Sequence, residues 1–449
     1  MDLSRALRIQ PREMVAFVGG GGKTTAMFRL ADELVGQGKR VVTTTTTRIF
    51  ASQIDLAPFH LIHSSPQSAP QLLESLQQKL AVHPHILVIG EPDHGTGKAF
   101  GVEPETVEAM AALPEADAIL NEADGSRMRP FKAPAEHEPV VPKGTTLLVP
   151  VVGVEALGSR LTEQYVHRAE RVAELAGVRI GVEVTPEMVA AVLAHPQGGL
   201  KGLLTGTRPV PLINKVESEE QLASARELAH HLLAHRQVDA VVIGAVRRPD
   251  PVTEVRGRTA AVVLAAGAST RFGTPKQLLP WQGDTLLGRA VDTALASQAD
   301  PVLVVLGYQA EACTAALGKR EVQAVVNQDW TQGQSSSVQA GLAALPANVS
   351  AAVFLLVDQP GITPEVVNAL ITRHQTTLAP VIWPEYHGQR GNPVLFDRAT
   401  FPQLMRLSYD TGGRVLLHAY AELAERVAVS TPEVLIDIDT PDDYARANS

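Results

Sequence analysis

One pattern constrains the fold most: an apolar, strand-like run enters a glycine-rich turn and continues into an amphipathic stretch. It occurs twice, over residues 14–37 and 260–273. A buried strand, a glycine turn and a helix in this order are typical of the opening of an α/β domain. With 449 residues, the chain is long enough for more than one hydrophobic core. We therefore expect two α/β domains.

A charged segment with two prolines, residues 247–258, separates the two patterns. Proline cannot donate to a sheet and restricts the residue before it, so we predict a linker there. The predicted domains are residues 1–246 and residues 259–449.

Strand-length apolar runs alternate with helical patterns in both halves. The runs lie at residues 14–18, 40–44, 85–89, 118–121, 145–149, 211–214 and 240–243, and at 261–265, 302–306, 322–327, 351–357, 393–396 and 434–438. This alternation predicts the α/β class, with two doubly wound, mainly parallel-sheet (Rossmann-like) domains in tandem. Ligands of such sheets bind beyond the carboxyl ends of the strands.

Composition excludes several classes of protein. Hydrophobic residues make up 45% and charged residues 19% of the chain, which argues against disorder, collagen and coiled coil. The net charge of −9 argues against nucleic-acid binding. No apolar run reaches the ~18 residues of a membrane span, and the N-terminus lacks the apolar core of a signal peptide, so we predict a cytoplasmic protein. A lone cysteine, Cys313, excludes an internal disulfide.

The second glycine turn has the groups that bind a triphosphate. Backbone N–H groups of residues 267–273 can approach phosphate, and Arg271 and Lys276 add cationic donors. The glycine spacing fits neither the dinucleotide fingerprint nor the P-loop motif, so it gives little support to hydride transfer. A plain strand-to-helix turn is the alternative for the glycines alone.

Carboxylates follow two of the predicted strands. Asp358 ends an apolar run, where a carboxylate can hold Mg²⁺ together with substrate phosphates. Asp437 and Asp439 alternate on a predicted terminal strand and should face the same side, which makes Asp439 a candidate second ligand. Thr440 and Pro441 predict a helix cap just after them.

Several strings in the second half occur in a characteristic order. They are Leu264 to Pro280, Pro280 to Gly283, Asn327 to Ser337, Asp358 to Pro360, Gly388 to Pro393 and Asp437 to Pro441. Through them, nearly all of 259–449 resembles the molybdenum cofactor cytidylyltransferases within the MobA-like nucleotidyltransferases. The resemblance implies transfer of CMP from CTP to Mo-molybdopterin with release of pyrophosphate. The implied product serves recipient molybdenum hydroxylases of the xanthine dehydrogenase type.

The resemblance also implies roles for individual residues. The nucleotide would be held by Leu264, Ala265, Ala266, Gly267, Ser269 and Gly273. Guanylyl-transferring relatives usually have glycine in place of Ala266, and with Gln359 this favours cytosine over guanine. Arg271 and Lys276 would neutralise the triphosphate.

The implied metal is Mg²⁺ or Mn²⁺, held by Asp358, with Asp439 as the candidate second ligand. Base or pterin would meet Ser336, Arg390 and Asn392. For these three residues, an ordinary helix start and a Gly-Asn turn are equally good interpretations.

The first glycine turn is close to a P-loop. Its residues after the strand are Gly20, Gly21, Gly22, Lys23, Thr24 and Thr25. Backbone donors and a helix N-terminus would face an anion, with Lys23 on outer phosphates and Thr24 on Mg²⁺. The motif departs from a full P-loop because Phe17 stands where the first glycine is expected. Downstream, Glu122 or Asp124 could hold the metal, and we take Asp124 as the predicted ligand.

Most of residues 10–245 resembles the selenium-dependent hydroxylase accessory proteins. The match rests on residues 19–25, 44–50, 122–127, 132–134, 137–139 and 213–216. It implies a nucleotide-dependent step of unassigned reaction in the maturation of molybdenum hydroxylases. Residues 214–217, Asn-Lys-Val-Glu, resemble the guanine-reading Asn-Lys-x-Asp of GTPases, with glutamate in place of aspartate. Both ATP and GTP remain possible there.

We therefore predict a fused maturation enzyme that acts on the molybdenum cofactor. Two alternatives remain open from the sequence. One is another small-molecule nucleotidyltransferase, of the sugar-nucleotide or methylerythritol-phosphate type. The other is a non-catalytic carrier or insertion chaperone for the cofactor.

Overall fold

The computed structural model describes residues 1–64, 69–93, 95–269, 272–407 and 414–447. The chain forms two compact units, Met1–Arg256 and Gly257–Ser449. The division falls inside the segment 247–258. The structure differs from the expected linker in that Val252–Ala265 is one continuous strand. Both prolines of the segment precede this strand, where the missing N–H groups cost no ladder hydrogen bonds.

The N-terminal unit contains seven helices and fourteen strands within its described residues. The helices are α1 (Leu3–Ala6), α2 (Lys23–Gly36), α3 (Ala69–Leu80), α4 (Pro104–Ala111), α5 (Ala169–Ala176), α6 (Pro186–Leu193) and α7 (Glu219–Leu233). The strands are β1 (Glu13–Gly19), β2 (Val41–Thr45), β3 (Arg48–Phe50), β4 (His60–Ile62), β5 (His85–Ile89), β6 (Pro92–Asp93), β7 (Lys98–Phe100), β8 (Ala118–Glu122), β9 (Phe131–Lys132), β10 (Leu147–Gly153), β11 (Val166–His167), β12 (Arg208–Pro209), β13 (Leu212–Asn214) and β14 (Ala240–Gly244).

The main sheet of this unit is parallel, in the order β4-β5-β2-β8-β1-β10-β13-β14, and β12 also pairs with β10. All seven residues of β1 are buried, as expected for a central strand covered on both faces. Strand β1 lies between β8 and β10. Strands β2, β5 and β4 lie on the β8 side of β1, and strands β13 and β14 lie on the β10 side. The carboxyl end of β1 is therefore a topological switch point, where α/β sheets bind ligands.

The C-terminal unit contains the following elements within its described residues. The helices are α8 (Leu286–Leu295), α9 (Ala310–Leu317), α10 (Gln334–Ala343), α11 (Pro364–Thr377), α12 (Phe401–Leu404), α13 (Arg414–Ala419) and α14 (Pro441–Ala447). The strands are β15 (Val252–Ala265), β16 (Pro280–Trp281), β17 (Asp284–Thr285), β18 (Val302–Leu306), β19 (Gln323–Val326), β20 (Val349–Leu356), β21 (Val381–Tyr386), β22 (Gln389–Arg390), β23 (Val394–Asp397) and β24 (Glu425–Ala428).

The sheet of this unit has the order β19-β18-β15-β20-β23-β21-β24. Strand β23 runs antiparallel to both of its neighbours, and the short strand β22 pairs antiparallel with β21. Alternate residues of β15 serve two cores: Ala261, Val263 and Ala265 pack on one face, and Val262 on the other. Strands β15 and β20 lie side by side at the switch point. The predicted fold class, two mainly parallel α/β units in tandem, is confirmed.

One predicted strand is wrong. Residues 432–435 form a short 3₁₀ helix, and residues 436–440 have no regular structure. Thr431 caps this turn by accepting a hydrogen bond from the Glu433 backbone N–H at 3.3 Å, and Pro432 starts it. The apolar alternation is explained by Val434 and Ile438, which are both fully buried. Both side chains pack into the core, although the segment is not a β-strand.

The remaining predictions about this unit have simple outcomes. Cys313 is a buried residue of α9. The predicted cap also forms: Thr440 Oγ1 accepts from the Asp443 backbone N–H at 3.2 Å at the start of α14. Among the described residues of the whole chain, no helix combines the length and apolar character needed to cross a bilayer.

Candidate functional site

A cavity of about 520 Å³ lies beyond the carboxyl ends of β15 and β20 in the C-terminal unit. Five of the predicted nucleotide-binding residues line it, namely Leu264, Ala265, Ala266, Gly267 and Ser269. Lys276 and Asp358 line it as well. Gly273 is exposed and has a left-handed φ of +69°. Arg271 lies outside the described residues, so its predicted role stays a prediction.

The loop that follows β15 is held in shape by Gln277. Its buried side-chain amide donates to the carbonyl oxygens of Ala265 at 2.9 Å and Gly267 at 2.7 Å. The Lys276 backbone N–H donates to Ser269 Oγ at 3.1 Å. Sequence reasoning missed Gln277 although it stands in the quoted motif, because its role depends on carbonyl groups ten and twelve residues away.

Lys276 brings together the two predicted carboxylates. Its Nζ donates to Asp358 Oδ2 at 2.9 Å and to Asp439 Oδ1 at 3.2 Å, and also to the carbonyl oxygen of Ile438 at 3.0 Å. Burial lowers the pKa of Lys276, but Asp358 and then Asp439 outweigh burial and hold this pKa above its ordinary value. A permanently cationic lysine therefore stands between two acids at the mouth of the loop.

The carboxylates fit a hard divalent cation. Asp358 Oδ1 is buried and has no hydrogen-bond partner among the described residues. Asp439 is half exposed, at 52% of its side-chain surface. Carboxylate oxygens are the ligands that Mg²⁺ and Mn²⁺ prefer. These two residues could hold the metal, with Lys276 as their shared partner.

Gln359 has a different place from the one expected. Its side chain is buried, and its amide donates to Asp437 Oδ1 at 2.5 Å. Burial raises the pKa of Asp437, and the nearby charges of Asp358 and Asp439 raise it further. Gln359 thus holds the acidic terminal segment in place, and the cavity lining does not include it.

The three residues expected to meet base or pterin do not line this cavity. Ser336 is buried at the start of α10, where its Oγ accepts from Asn327 Nδ2 at 2.9 Å and lies 2.8 Å from the carbonyl oxygen of Gly333. Arg390 and Asn392 belong to the hairpin after β21, and the Asn392 backbone N–H donates to the carbonyl oxygen of Val434. The structure therefore favours the structural interpretation for Ser336.

In the N-terminal unit, the glycine loop joins β1 to α2 in a conformation that requires glycine. Gly21 and Gly22 have φ values of +78° and +118°. A Cβ added to Gly21 would lie 2.1 Å from the backbone nitrogen of Gly153. The loop therefore brings its backbone and the N-terminus of α2 to a cavity of about 340 Å³, which Gly21, Gly22, Lys23, Thr24 and Thr25 line. Gly20 precedes these residues, and a Cβ there would meet the carbonyl oxygen of Arg129 at 2.5 Å.

Lys23 is buried among acceptors. Its Nζ donates to the Gly19 carbonyl oxygen at 2.7 Å and lies 3.3 Å from Asp124 Oδ1 and 3.6 Å from Glu122 Oε1. Burial lowers the pKa of Lys23, but Asp124 and Glu122 outweigh burial and raise it. Thr24 Oγ1 donates to Glu122 Oε2 at 2.6 Å. Burial raises the pKa of Glu122, while Lys23 and Thr24 oppose the rise.

Asp124, the predicted metal ligand, is surrounded by protein donors. The Gly19 backbone N–H lies 3.1 Å from both of its oxygens, and Lys132 Nζ is 3.0 Å from Oδ2. The carboxylate is only 2% exposed. Glu122, beside the Thr24 hydroxyl, is better placed for a metal. The structure thus favours Glu122 over Asp124, whose role as a ligand stays a prediction.

Lys132 connects Asp124 to a second buried carboxylate, Glu138. Lys132 Nζ also donates to Glu138 Oε2 at 2.7 Å, and Arg168 donates to the same oxygen at 2.8 Å. Burial raises the pKa of Glu138, but Lys132 and Arg168 outweigh it and lower this pKa from 4.5 to about 2. Buried ion pairs thus connect the glycine loop to the segment that carries Glu138.

We expect Glu138→Gln to lower the free energy of unfolding of the N-terminal unit by on the order of 3 kcal/mol at pH 7. The depressed pKa means that the ionised side chain stabilises the folded state above about pH 4.5. This contribution is lost as the pH falls from 4.5 towards 2, because a protonated glutamate resembles glutamine. Urea unfolding of both proteins between pH 3 and pH 7 measures the difference, and a difference independent of pH would contradict the prediction.

Two protein families match the two units. Residues 15–170 match the family described as YqeC protein, and residues 261–425 match the family described as MobA-like NTP transferase domain. The protein YqeC of Escherichia coli (strain K12) is 33% identical over 235 residues, which cover 52% of this chain and 88% of that protein.

Two relatives match the C-terminal unit. Nicotine blue oxidoreductase of Paenarthrobacter nicotinovorans is 34% identical over 192 residues, which cover 41% of this chain and 94% of that protein. Molybdenum cofactor cytidylyltransferase of Escherichia coli (strain K12) is 28% identical over 188 residues, which cover 41% of this chain and 93% of that protein. Both resemblances predicted from the sequence are confirmed by these matches. The chain therefore belongs to two families, to the YqeC proteins through its N-terminal unit and to the MobA-like NTP transferases through its C-terminal unit.

Proposed function

We propose that the C-terminal unit transfers CMP from CTP to the terminal phosphate of Mo-molybdopterin, with release of pyrophosphate. The observation that carries this proposal is the joining of Asp358 and Asp439 by Lys276 beside the loop that follows β15. Ala266 lies on the cavity wall. Guanylyl-transferring relatives usually have glycine at this position, so the alanine supports cytosine over guanine. The relative named molybdenum cofactor cytidylyltransferase supports the acceptor.

The proposed reaction needs positioning and positive charge more than a general base. The second pKa of a phosphomonoester is about 6, so the attacking oxygen is already ionised at neutral pH. This oxygen forms a bond to the α-phosphorus of CTP in line with the bond that breaks, and pyrophosphate leaves. Lys276 stabilises the negative charge that develops on the phosphates. Mg²⁺ or Mn²⁺ held by Asp358 and Asp439 would supply further charge neutralisation.

The direct test is a product assay with the full chain, purified Mo-molybdopterin and CTP, GTP or ATP in separate reactions. We expect pyrophosphate release and a cytosine dinucleotide product with CTP. Parallel reactions contain CTP with a sugar phosphate or methylerythritol phosphate instead of Mo-molybdopterin. Turnover in these reactions alone would show that the acceptor is not Mo-molybdopterin. Tight pterin binding without any turnover would favour a carrier or insertion chaperone.

The relative named nicotine blue oxidoreductase raises an alternative chemistry. The glycine spacing after β15 does not follow the dinucleotide fingerprint, so it does not favour hydride transfer. Measuring NADH and NADPH consumption under the same conditions separates the two reactions. Nicotinamide oxidation without pyrophosphate release would overturn the transferase proposal.

We further propose that the N-terminal unit binds a nucleotide with Mg²⁺ in a maturation step that serves a recipient molybdenum hydroxylase. The helix N-terminus and the glycine loop support phosphate binding. Thr24 and Glu122, joined by a 2.6 Å hydrogen bond, would hold the metal. This pairing of a hydroxyl with a strand-end acid is the observation that carries the proposal.

A further inference from the structure

The cavity of the C-terminal unit has two chemically different ends. Asp358 follows β20 and accepts from Lys276 Nζ at 2.9 Å, so charge is concentrated on the β20 side. Trp330 also lines the cavity, and it starts the short 3₁₀ turn that comes after β19. Strand β19 is the edge strand on the other side of β15, beyond β18. The proposed transfer uses the charged end and gives no role to the aromatic end.

A glycine places Trp330 beside the loop that follows β15. A Cβ added to Gly307, just after β18, would lie 2.7 Å from the Ala266 carbonyl oxygen and 2.7 Å from Trp330 Cβ. Because Gly307 has no side chain, both residues can approach its backbone closely. The Tyr308 backbone N–H donates to the same Ala266 carbonyl oxygen at 3.0 Å. Trp330 therefore stands next to the Ala266 part of the loop.

The indole ring of Trp330 is supported by the protein on part of its surface. Its centroid lies 5.5 Å from that of the Tyr308 ring, and the two planes are inclined at 60°. Trp330 also packs against the apolar cluster that contains Ala266 and Val338. The residue is nevertheless only half-buried, and it forms part of the cavity wall. An aromatic ring held in this way can act as a stacking platform for a flat ligand ring.

The spacing of the strands fits a nucleotide between the two ends. Strands β18 and β20 flank β15, and neighbouring strands lie about 4.8 Å apart. The aromatic and charged ends are therefore on the order of 10 Å apart. A nucleotide with its phosphates beside Lys276 and Asp358 would extend its sugar along the loop and bring its base to Trp330. The acceptor joins this nucleotide at the α-phosphate, so its own ring need not reach Trp330.

We propose that Trp330 binds the base of the nucleotide substrate by stacking on it. The inference rests on the proposed binding of CTP in this cavity. Every base has a π face, so stacking adds affinity without selecting among bases. Trp330 is thus a binding residue for the nucleotide, and the choice of cytosine depends on other groups of the cavity.

Tryptophan fluorescence of the full chain with Mg²⁺ tests this contact. The chain has three tryptophans, Trp281, Trp330 and Trp383, and all lie in the C-terminal unit. A nucleotide bound to the N-terminal unit therefore stacks on none of them. Trp281 and Trp383 are buried and do not line this cavity. We expect CTP to quench the fluorescence, Trp330→Phe to abolish the quench, and the matched control Trp281→Phe to retain it.

Steady-state kinetics of CMP transfer separate stacking from a general loss of structure. Trp330→Ala should raise the KM for CTP by about 5- to 150-fold. Inorganic triphosphate has no base, so its inhibition constant against CMP transfer should be the same in wild type and Trp330→Ala. A distorted site would instead weaken both ligands.

Several results would overturn the inference. They are an unchanged wild-type fluorescence with CTP, a quench that persists in Trp330→Phe, and a KM and an inhibition constant that rise together in Trp330→Ala. Quenching by Mo-molybdopterin but not by CTP would also overturn it and would assign Trp330 to the acceptor. A quench by CTP without any CMP transfer would leave the stacking intact and refute the proposed transfer instead.

Discussion

Replacing Asp358 by asparagine is expected to reduce CMP transfer by about 10²- to 10³-fold. The substitution keeps the shape of the side chain but removes the negative charge that Lys276 contacts at 2.9 Å. It also replaces a carboxylate whose buried Oδ1 has no hydrogen-bond partner among the described residues and fits a metal. Pyrophosphate release under saturating CTP and Mo-molybdopterin measures the loss.

The matched control for this variant is Asp300→Asn. Asp300 precedes β18, so it lies at the amino end of this parallel strand, whereas the cavity lies beyond the carboxyl ends of β15 and β20. Its side chain is 73% exposed. Its ion pair with Arg258 is therefore worth little. We expect full activity from this control and unchanged pterin binding by both variants. An Asp358→Asn protein with wild-type turnover would contradict the proposed site.

Replacing Lys23 by alanine is expected to abolish nucleotide binding by the N-terminal unit and to destabilise this unit by about 3–5 kcal/mol. The substitution leaves Asp124 and Glu122 buried without their shared cation. Urea unfolding measures the second effect, and calorimetry measures the first. CMP transfer by the full chain should remain, because Lys23 does not line the C-terminal cavity.

A second variant separates binding from folding. Thr24→Ala keeps Lys23 and its ion pairs but removes the hydroxyl beside Glu122, so it should lower Mg²⁺-dependent nucleotide affinity in a folded unit.

Lys39→Ala, at an exposed position after α2, is the matched control for Lys23→Ala. Equal loss of nucleotide binding and CMP transfer in Lys23→Ala would contradict the independence of the two activities.

The glycine loops could be predicted from sequence because their requirements are local. Gly21 needs a left-handed φ, and Lys23 and Thr24 follow it at the start of a helix. The strand before each loop is buried on both faces, so its sequence is a continuous apolar run. Such features depend on neighbours within a few residues, so a single sequence reveals them.

The choice among acidic residues could not be predicted in the same way. Glu122 and Asp124 stand two positions apart and looked equivalent in the sequence. The fold places Glu122 beside Thr24 and encloses Asp124 between Lys23, Lys132 and the Gly19 amide. Similarly, the Asp437–Asp439 segment looked like a strand, since Val434 and Ile438 are buried at the spacing that a strand would give.

Two α/β units, each with a glycine loop at a strand end, can be predicted from the sequence alone, because apolar periodicity and glycine stereochemistry act locally. Which charges meet depends on the tertiary structure. Lys276 contacts acids 82 and 163 positions away, and Thr24 bonds to a glutamate 98 positions away. These contacts depend on the order of parallel strands in each sheet, since that order brings distant carboxyl ends to one edge.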